Sequence, residues 1–143
     1  RAGAVHAGGL GQLLGLGDRV MFLGAVGHAD VAGLLANAHV VALPSRWEGQ
    51  PIVALEAGAA GRPLISSAVD GLAGVVDDGV TGVVVPPDDP AALASALDRL
   101  LADHELCDRL GAAAREKIGA RFGMARCVDA YDQLYRQLVV AAQ

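Results

Sequence analysis

The sequence predicts an α/β fold, a mainly parallel sheet with flanking helices. Two observations predict it. Short apolar runs without alternation, such as residues 39–44, read as strands buried on both faces. They alternate along the chain with longer stretches whose apolar residues recur at three- and four-residue steps, the period of a half-buried helix. Right-handed crossovers then bring all the strand ends to a common edge. About four strands can be counted, fewer than a complete nucleotide-binding half.

Residues 1–15 read as a Gly- and Ala-rich helix capped at Gly15 or Gly17. The Gly9-Leu10-Gly11 step is not a dinucleotide fingerprint, because no strand precedes it and the third glycine is misplaced. Residues 19–23 read as a strand ending at Gly24, and residues 28–37 as a small helix with Val31, Leu34 and Leu35 inward. The 39–43 strand follows, and then a helix entered at Pro51, whose missing N–H costs nothing in a first turn. Residues 63–66 form the next strand. Its loop, residues 67–71, lies at the same sheet edge as Glu48 if both strands are parallel. After a turn at residues 79–82 comes a strand over 82–85, closed by Pro86-Pro87. A helix over 90–102 has Asp89 as N-cap and Leu93, Leu97, Leu100 and Leu101 inward. Helices over 104–121 and 124–140 complete the chain, the last with an apolar stripe of Val128, Tyr131, Tyr135 and Leu138.

Composition excludes several functions. The 143 residues suffice for one domain with a real core, and 53% apolar against 3% aromatic residues makes that core one of Ala, Val and Leu. No apolar run approaches a membrane span. A net charge of −5 with no Lys/Arg cluster argues against nucleic acid as partner. A phosphate ligand remains compatible, since backbone amides and one Arg can hold it locally. Cys107 and Cys127 form no C-x-x-C and read as reduced, buried thiols in helices, which fits the cytoplasm or its membrane face. The four histidines have no ligand spacing, and the Asp77-Asp78 and Asp88-Asp89 pairs stand among Gly and Pro, so turn chemistry is expected there and no metal.

The chemistry concentrates in Glu48-Gly49-Gln50-Pro51-Ile52-Val53-Ala54-Leu55-Glu56, directly after the 39–44 strand. In open α/β sheets ligands bind beyond the carboxyl ends of the strands, where Ser45, Arg46, Trp47 and Glu48 would sit. The amides of Gly49, Gln50 and Ile52 would lie near a positive helix end and attract an anion. Glu56 shares a helix face with Ile52 at the edge of the buried stripe, where a carboxylate needs a partner such as a polyol. The plainer reading makes Glu48 a solvated loop acid, Glu56 a structural helix acid and Arg46 a solvated loop residue.

Pro44-Ser45-Arg46-Trp47-Glu48-Gly49 with Leu55-Glu56-Ala57 resembles the E-x7-E signature of retaining GT-B glycosyltransferases, most nearly those of family 4. The resemblance continues through Ala60-Gly61-Arg62-Pro63, Asp77-Asp78-Gly79-Val80-Thr81-Gly82 and Val85-Pro86-Pro87-Asp88-Asp89-Pro90, covering nearly the whole chain from about Leu16. It implies a Rossmann-like partial C-terminal domain of such an enzyme, with earlier strands and an acceptor-binding N-terminal domain expected elsewhere, and the last helix crossing back towards that domain. It implies a nucleotide-sugar donor, an unknown acceptor and no metal or other cofactor. Glu48 would act at the reacting centre. Gly49, Gln50, Ile52 and Arg46 would contact the donor, Glu56 its ribose, and Gly24, Ala25 and Val26 its base. Gly74 stands where the family usually has a glutamate. The alternatives are a degenerate nucleotide-binding module without catalysis, or a sugar-nucleotide epimerase or phosphorylase on the same fold.

Overall fold

The computed structural model describes residues 15–141, and the chain divides into two compact units after Val31. The helix expected over 1–15 lies outside the described residues, apart from Gly15 at its end. In the first unit Gly15 and Gly17 take left-handed φ values of 64° and 52°. A 3-10 turn over Gly17–Arg19 follows. The strand expected at residues 19–23 does not form: Val20 is extended, but the segment joins no sheet among the described residues, and Met21 is 81% exposed. An apolar run becomes a strand only when a neighbour takes its amides and carbonyls, and the sequence pattern reports apolarity without naming that neighbour.

The second unit is built on three strands, β1 (Val41–Leu43), β2 (Leu64–Ser67) and β3 (Gly82–Val85), ordered β1-β2-β3 and all parallel. Ala42 pairs with Ile65, and Ile65 with Val83. Alternate residues of this register enter two separate cores. On one face Ile65, Val83 and Val85 pack with Ala96 and Leu100 of α3 (Pro90–Ala102) and with Leu106, Cys107 and Leu110 of α4 (His104–Phe122). On the other, Leu64 packs with Ala54 of α2 (Ile52–Ala59), with Leu72, Val75 and Val76 of the β2–β3 crossover, and with Ile118 of α4. Every residue of β2 is buried. Fully buried side chains such as Ile65 and Leu100 each contribute about 2 kcal/mol. Among the described residues β1 is the sheet edge instead, with Ala42 exposed, so the two-sided burial expected of this strand is found in β2.

Helix boundaries follow the sequence closely, but two inward assignments do not. Leu34 of α1 (His28–Asn37) and Leu101 of α3 are 45% and 54% exposed. The smaller Ala96 takes the buried place on α3, with Leu93 and Leu97 at its shoulders. Asp89 and Asp103 cap α3 and α4 by accepting from the amides of Ala92 and Leu106, each at 2.9 Å. Asp78 Oδ1 accepts from the Val84 amide at 2.9 Å, and Asp77 forms an ion pair of 2.8 Å with the largely buried Lys117. The Asp78 contact is the turn chemistry expected of that pair, whereas Asp77 pairs across the unit with α4. Arg62 donates to the Ala36 carbonyl near the C-terminal end of α1.

Helices α2 and α4 approach through glycines. A Cβ on Gly111 would lie 2.1 Å from the Gly61 carbonyl oxygen, and one on Gly58 would lie 2.6 Å from Ile118 Cγ1. The terminal helix α5 (Met124–Ala141) carries the expected stripe, with Tyr131 and Tyr135 stacked at 6.3 Å, but Val128, Tyr131, Tyr135 and Leu138 are all exposed. Cys127 on α5 is exposed too, which corrects the expectation of a buried thiol; Cys107 on α4 is buried and donates to the Leu100 carbonyl at 3.0 Å. Among the described residues no helix is long and apolar enough to cross a membrane.

Two outcomes are expected. Gly111→Ala should lower the unfolding free energy by about 2 kcal/mol through forced separation of α2 and α4. Gly119→Ala on the same helix meets open space and should raise it by about 0.5–1 kcal/mol. Urea titrations check both, and equal effects would rule out the close approach. In a thiol-reagent assay Cys127 should react in the folded chain and Cys107 only on unfolding. Burial, with Asp108 and Asp103 adding, raises the Cys107 pKa. The folded state therefore holds this proton longer than the unfolded chain does. Stability should fall as pH rises from about 8.5, and fall less in Cys107→Ala.

Candidate functional site

Because the three strands are parallel, the loops after β1, β2 and β3 all emerge at one edge of the sheet. The first, residues 44–51, leads into α2. Within it Ser45 Oγ donates to Glu48 Oε1 at 2.6 Å, and Glu48 is half-buried. Gly49 and Gln50 are exposed, and Ile52 at the start of α2 is 66% exposed. Pro51 is the N-cap residue, one position earlier than a first-turn proline, and has no side-chain cap to offer. The positive end of α2 thus meets the loop through its backbone. Glu56 is half-buried one turn further on, between the buried Ala54 and Ala57 in sequence and on the face shared with Ile52.

The loop after β2 is packed onto this one. A Cβ on Gly71 would stand 2.2 Å from the Glu48 carbonyl oxygen and 2.6 Å from that of Gly49. Only a residue without a side chain lets the two backbones meet. The conditional placement of residues 67–71 beside Glu48 is therefore realised. Gly74, three residues on, takes φ +81° with open space around it, so its constraint is conformational rather than steric.

The loop after β3 reaches the same edge through Asp88, whose Oδ1 accepts from Arg46 Nε at 2.6 Å. Arg46 and Asp88 are 82% and 62% exposed, so the pair adds little stability. It engages Nε and leaves the terminal N–H groups of the guanidinium available, so Arg46 can still meet an anion. Two clefts flank the edge. One of about 310 Å³ has Pro44, Arg46, Asp88 and Leu93 in its walls; the other, of about 320 Å³, is lined by Ser66, Val69, Leu72 and Val84 and holds the buried Ser66 hydroxyl, which has no hydrogen-bond partner among the described residues. Neither is lined by Glu48 or Glu56, which lie outside these concavities.

The structure thus gathers Arg46, Glu48, Gly49, Gln50, Ile52 and Glu56 on one loop and helix start. Gly24, Ala25 and Val26 belong to the first unit, where Gly24 has φ +66°. Among the described residues no group of three His, Cys, Asp or Glu could hold a metal ion. The sequence places Ser45 and Gly71 at this edge, but not their contacts with Glu48, nor Asp88 as the partner of Arg46. The S-x-x-E spacing of Ser45 and Glu48 was a usable signal. The contact of Gly71 and the pairing of Asp88 depend on how neighbouring loops dock, which no local pattern encodes.

Comparison with known proteins gives concordant results. Residues 10–117 match the family model of glycosyl transferases group 1. The chain is 36% identical over 124 residues to the alpha-D-kanosaminyltransferase of Streptomyces kanamyceticus, covering 87% of this chain and 32% of that protein. It superposes on the sucrose-phosphate synthase of Thermosynechococcus elongatus with a TM-score of 0.87 at 43% identity, covering 94% of this chain and 34% of that one. HepE of Anabaena, solved in complex with UDP-glucose, gives a TM-score of 0.79 at 27% identity over 91% of this chain and 35% of that one. The chain spans about a third of the length of these proteins. The GT-B, Rossmann-like α/β fold is the one they share.

Gly71→Ala should push the Glu48 loop off its support. Hydrogen-exchange mass spectrometry should then find faster exchange at residues 48–50, with β2 and β3 unchanged. Unaltered exchange in that loop would contradict the backbone contact.

Proposed function

The chain belongs to the glycosyl transferases group 1 family, and from that premise we propose that it is the donor side of an enzyme moving a sugar from a nucleotide-sugar to an acceptor, with retention of configuration and without a catalytic metal. The observation that carries this reading is the meeting of Gly71 with the Glu48–Gly49 backbone at the carboxyl edge of the parallel strands. Such an edge is where open α/β sheets bind ligands. A glycosyl donor needs an anion site for its diphosphate, acceptors for its hydroxyls and a fixed negative charge near the anomeric carbon, where positive charge develops.

Each need has a candidate here. The backbone amides of Gly49, Gln50 and Ile52 stand at the positive end of α2 and suit sugar hydroxyls or phosphate. Glu48, held by Ser45, suits the reacting centre. Glu56, a turn into the helix, suits the paired ribose hydroxyls, which a carboxylate can accept together. Arg46, whose Nε pairs with Asp88, keeps its terminal N–H groups to assist an anion. Gly24, Ala25 and Val26 are assigned to the base. HepE, at 27% identity, is a relative solved with UDP-glucose, which supports a nucleotide-sugar as donor class. The acceptor belongs to the rest of the enzyme, at the cytoplasm or its membrane face.

Calorimetric titration of the full-length protein with UDP, GDP and ADP, with and without attached sugars, tests the reading. Glu56→Gln should weaken nucleotide binding about ten-fold while the protein stays folded, the loss expected for one charged hydrogen-bond acceptor. Glu48→Ala should depress turnover at least 100-fold, about the loss seen when one charge-stabilising group is removed, and change affinity less. A folded protein that binds none of these ligands would instead be a degenerate module, and Gly74 in place of the usual glutamate is the feature that would favour it.

A further inference from the structure

Resting on the donor-site reading, we propose that Ser45 is a positioning residue for the reaction: its hydroxyl fixes the Glu48 carboxylate in the orientation that meets the donor. The Ser45 Oγ to Glu48 Oε1 distance of 2.6 Å is that of a short charge-assisted hydrogen bond. Both residues are half-buried, so water competes for the bond less than at an open surface. Among the described residues Ser45 is the hydrogen-bond partner of the Glu48 side chain, and none donates to Oε2. One oxygen is thereby tied to the protein and the other left for a ligand.

The backbone of Glu48 is held independently. Gly71 abuts its carbonyl, and a Cβ there would come within 2.2 Å of that oxygen. With the main chain fixed from one side and a carboxylate oxygen from the other, the rotatable bonds between them have few arrangements left. A glutamate without such a tie loses rotamer freedom each time it engages a ligand; a pre-oriented one has already lost it. The geometry therefore assigns Ser45 to catalysis through Glu48 rather than to direct contact with the sugar. The same S-x-x-E spacing is also found where a side chain merely staples a turn, so the test must separate orientation from folding.

The full-length protein is assayed for nucleotide release from UDP-glucose, GDP-glucose and ADP-glucose, with nucleotide affinity measured by calorimetry and folding by thermal melting. Ser45→Ala should lower kcat about ten-fold, the loss expected for one charge-assisted hydrogen bond, with nucleotide affinity and melting temperature near wild type. Ser45→Thr, which keeps the hydroxyl, should recover most of the rate. If Ser45→Ala melts early, Ser45→Cys, similar in size with a weak donor, should show the same loss in a folded protein. Adding Ser45→Ala to Glu48→Ala should cost nothing further. Wild-type turnover in Ser45→Ala beside an inactive Glu48→Ala would overturn this inference and leave the donor site standing. An equal loss in both backgrounds would make Ser45 a structural staple. Full activity in Glu48→Ala, or no nucleotide binding by the folded wild type, would overturn the donor-site reading and this inference with it.

Discussion

Parallel pairing of β2 with both of its neighbours is the constraint on which the second unit depends. Its hydrogen bonds run to β1 on one side and β3 on the other, and its side chains fill two cores. A strand in that position cannot slip by one residue, because the slip would exchange the contents of the two cores. Its direction is set by the helical crossovers that join parallel strands, and direction decides where the loops emerge. The approach of Ser45, Glu48, Gly71 and Asp88 from three separate loops follows from it.

Support for this edge comes from the opposite end of the crossovers. Gly58, Gly61 and Gly111 let α2 lie close to α4, and Ile118 fills the space beside Gly58. The start of α2 bears the loop with Glu48, so a helix set by glycine contacts carries that carboxylate at its other end. Asp103 capping α4 and the Lys117–Asp77 ion pair tie α4 to the same unit, the latter through the turn that precedes β3. The polar groups here serve geometry: a largely buried ammonium such as that of Lys117 is tolerated because Asp77 stands 2.8 Å away.

Much of this was legible in the sequence. Apolar periodicity located β2, β3 and the described helices, and Asp89-Pro90 marked the start of α3 to the residue. The position of Glu48 at a strand's carboxyl end followed from the strand–loop–helix order. What could not be read depended on partners. Residues 19–23 have a strand's composition and no strand's neighbour among the described residues. Leu101 and Ala96 differ in hydrophobicity in the wrong sense for their burial, because the face that carries Leu100 into the core takes Ala96 with it whatever its size. Cys127 lies on an amphipathic helix whose apolar side is exposed, so a residue type that usually marks an interior marks a surface here.

The Arg46–Asp88 bridge has a consequence for thermodynamic linkage. The bridge engages Nε alone, so an anion can share the guanidinium through its terminal N–H groups; one that needs Nε binds only the fraction of molecules in which the bridge is open, and its apparent dissociation constant exceeds the intrinsic one by the reciprocal of that fraction. Reciprocity then acts on the other partner: an anion that takes Nε releases the carboxylate of Asp88, a residue at φ +57°. Occupancy beside β1 and the pairing of Asp88 beside β3 become two readings of one equilibrium. Raising the ionic strength, which weakens an exposed bridge as well as the incoming anion's attraction, shifts both sides of that equilibrium together.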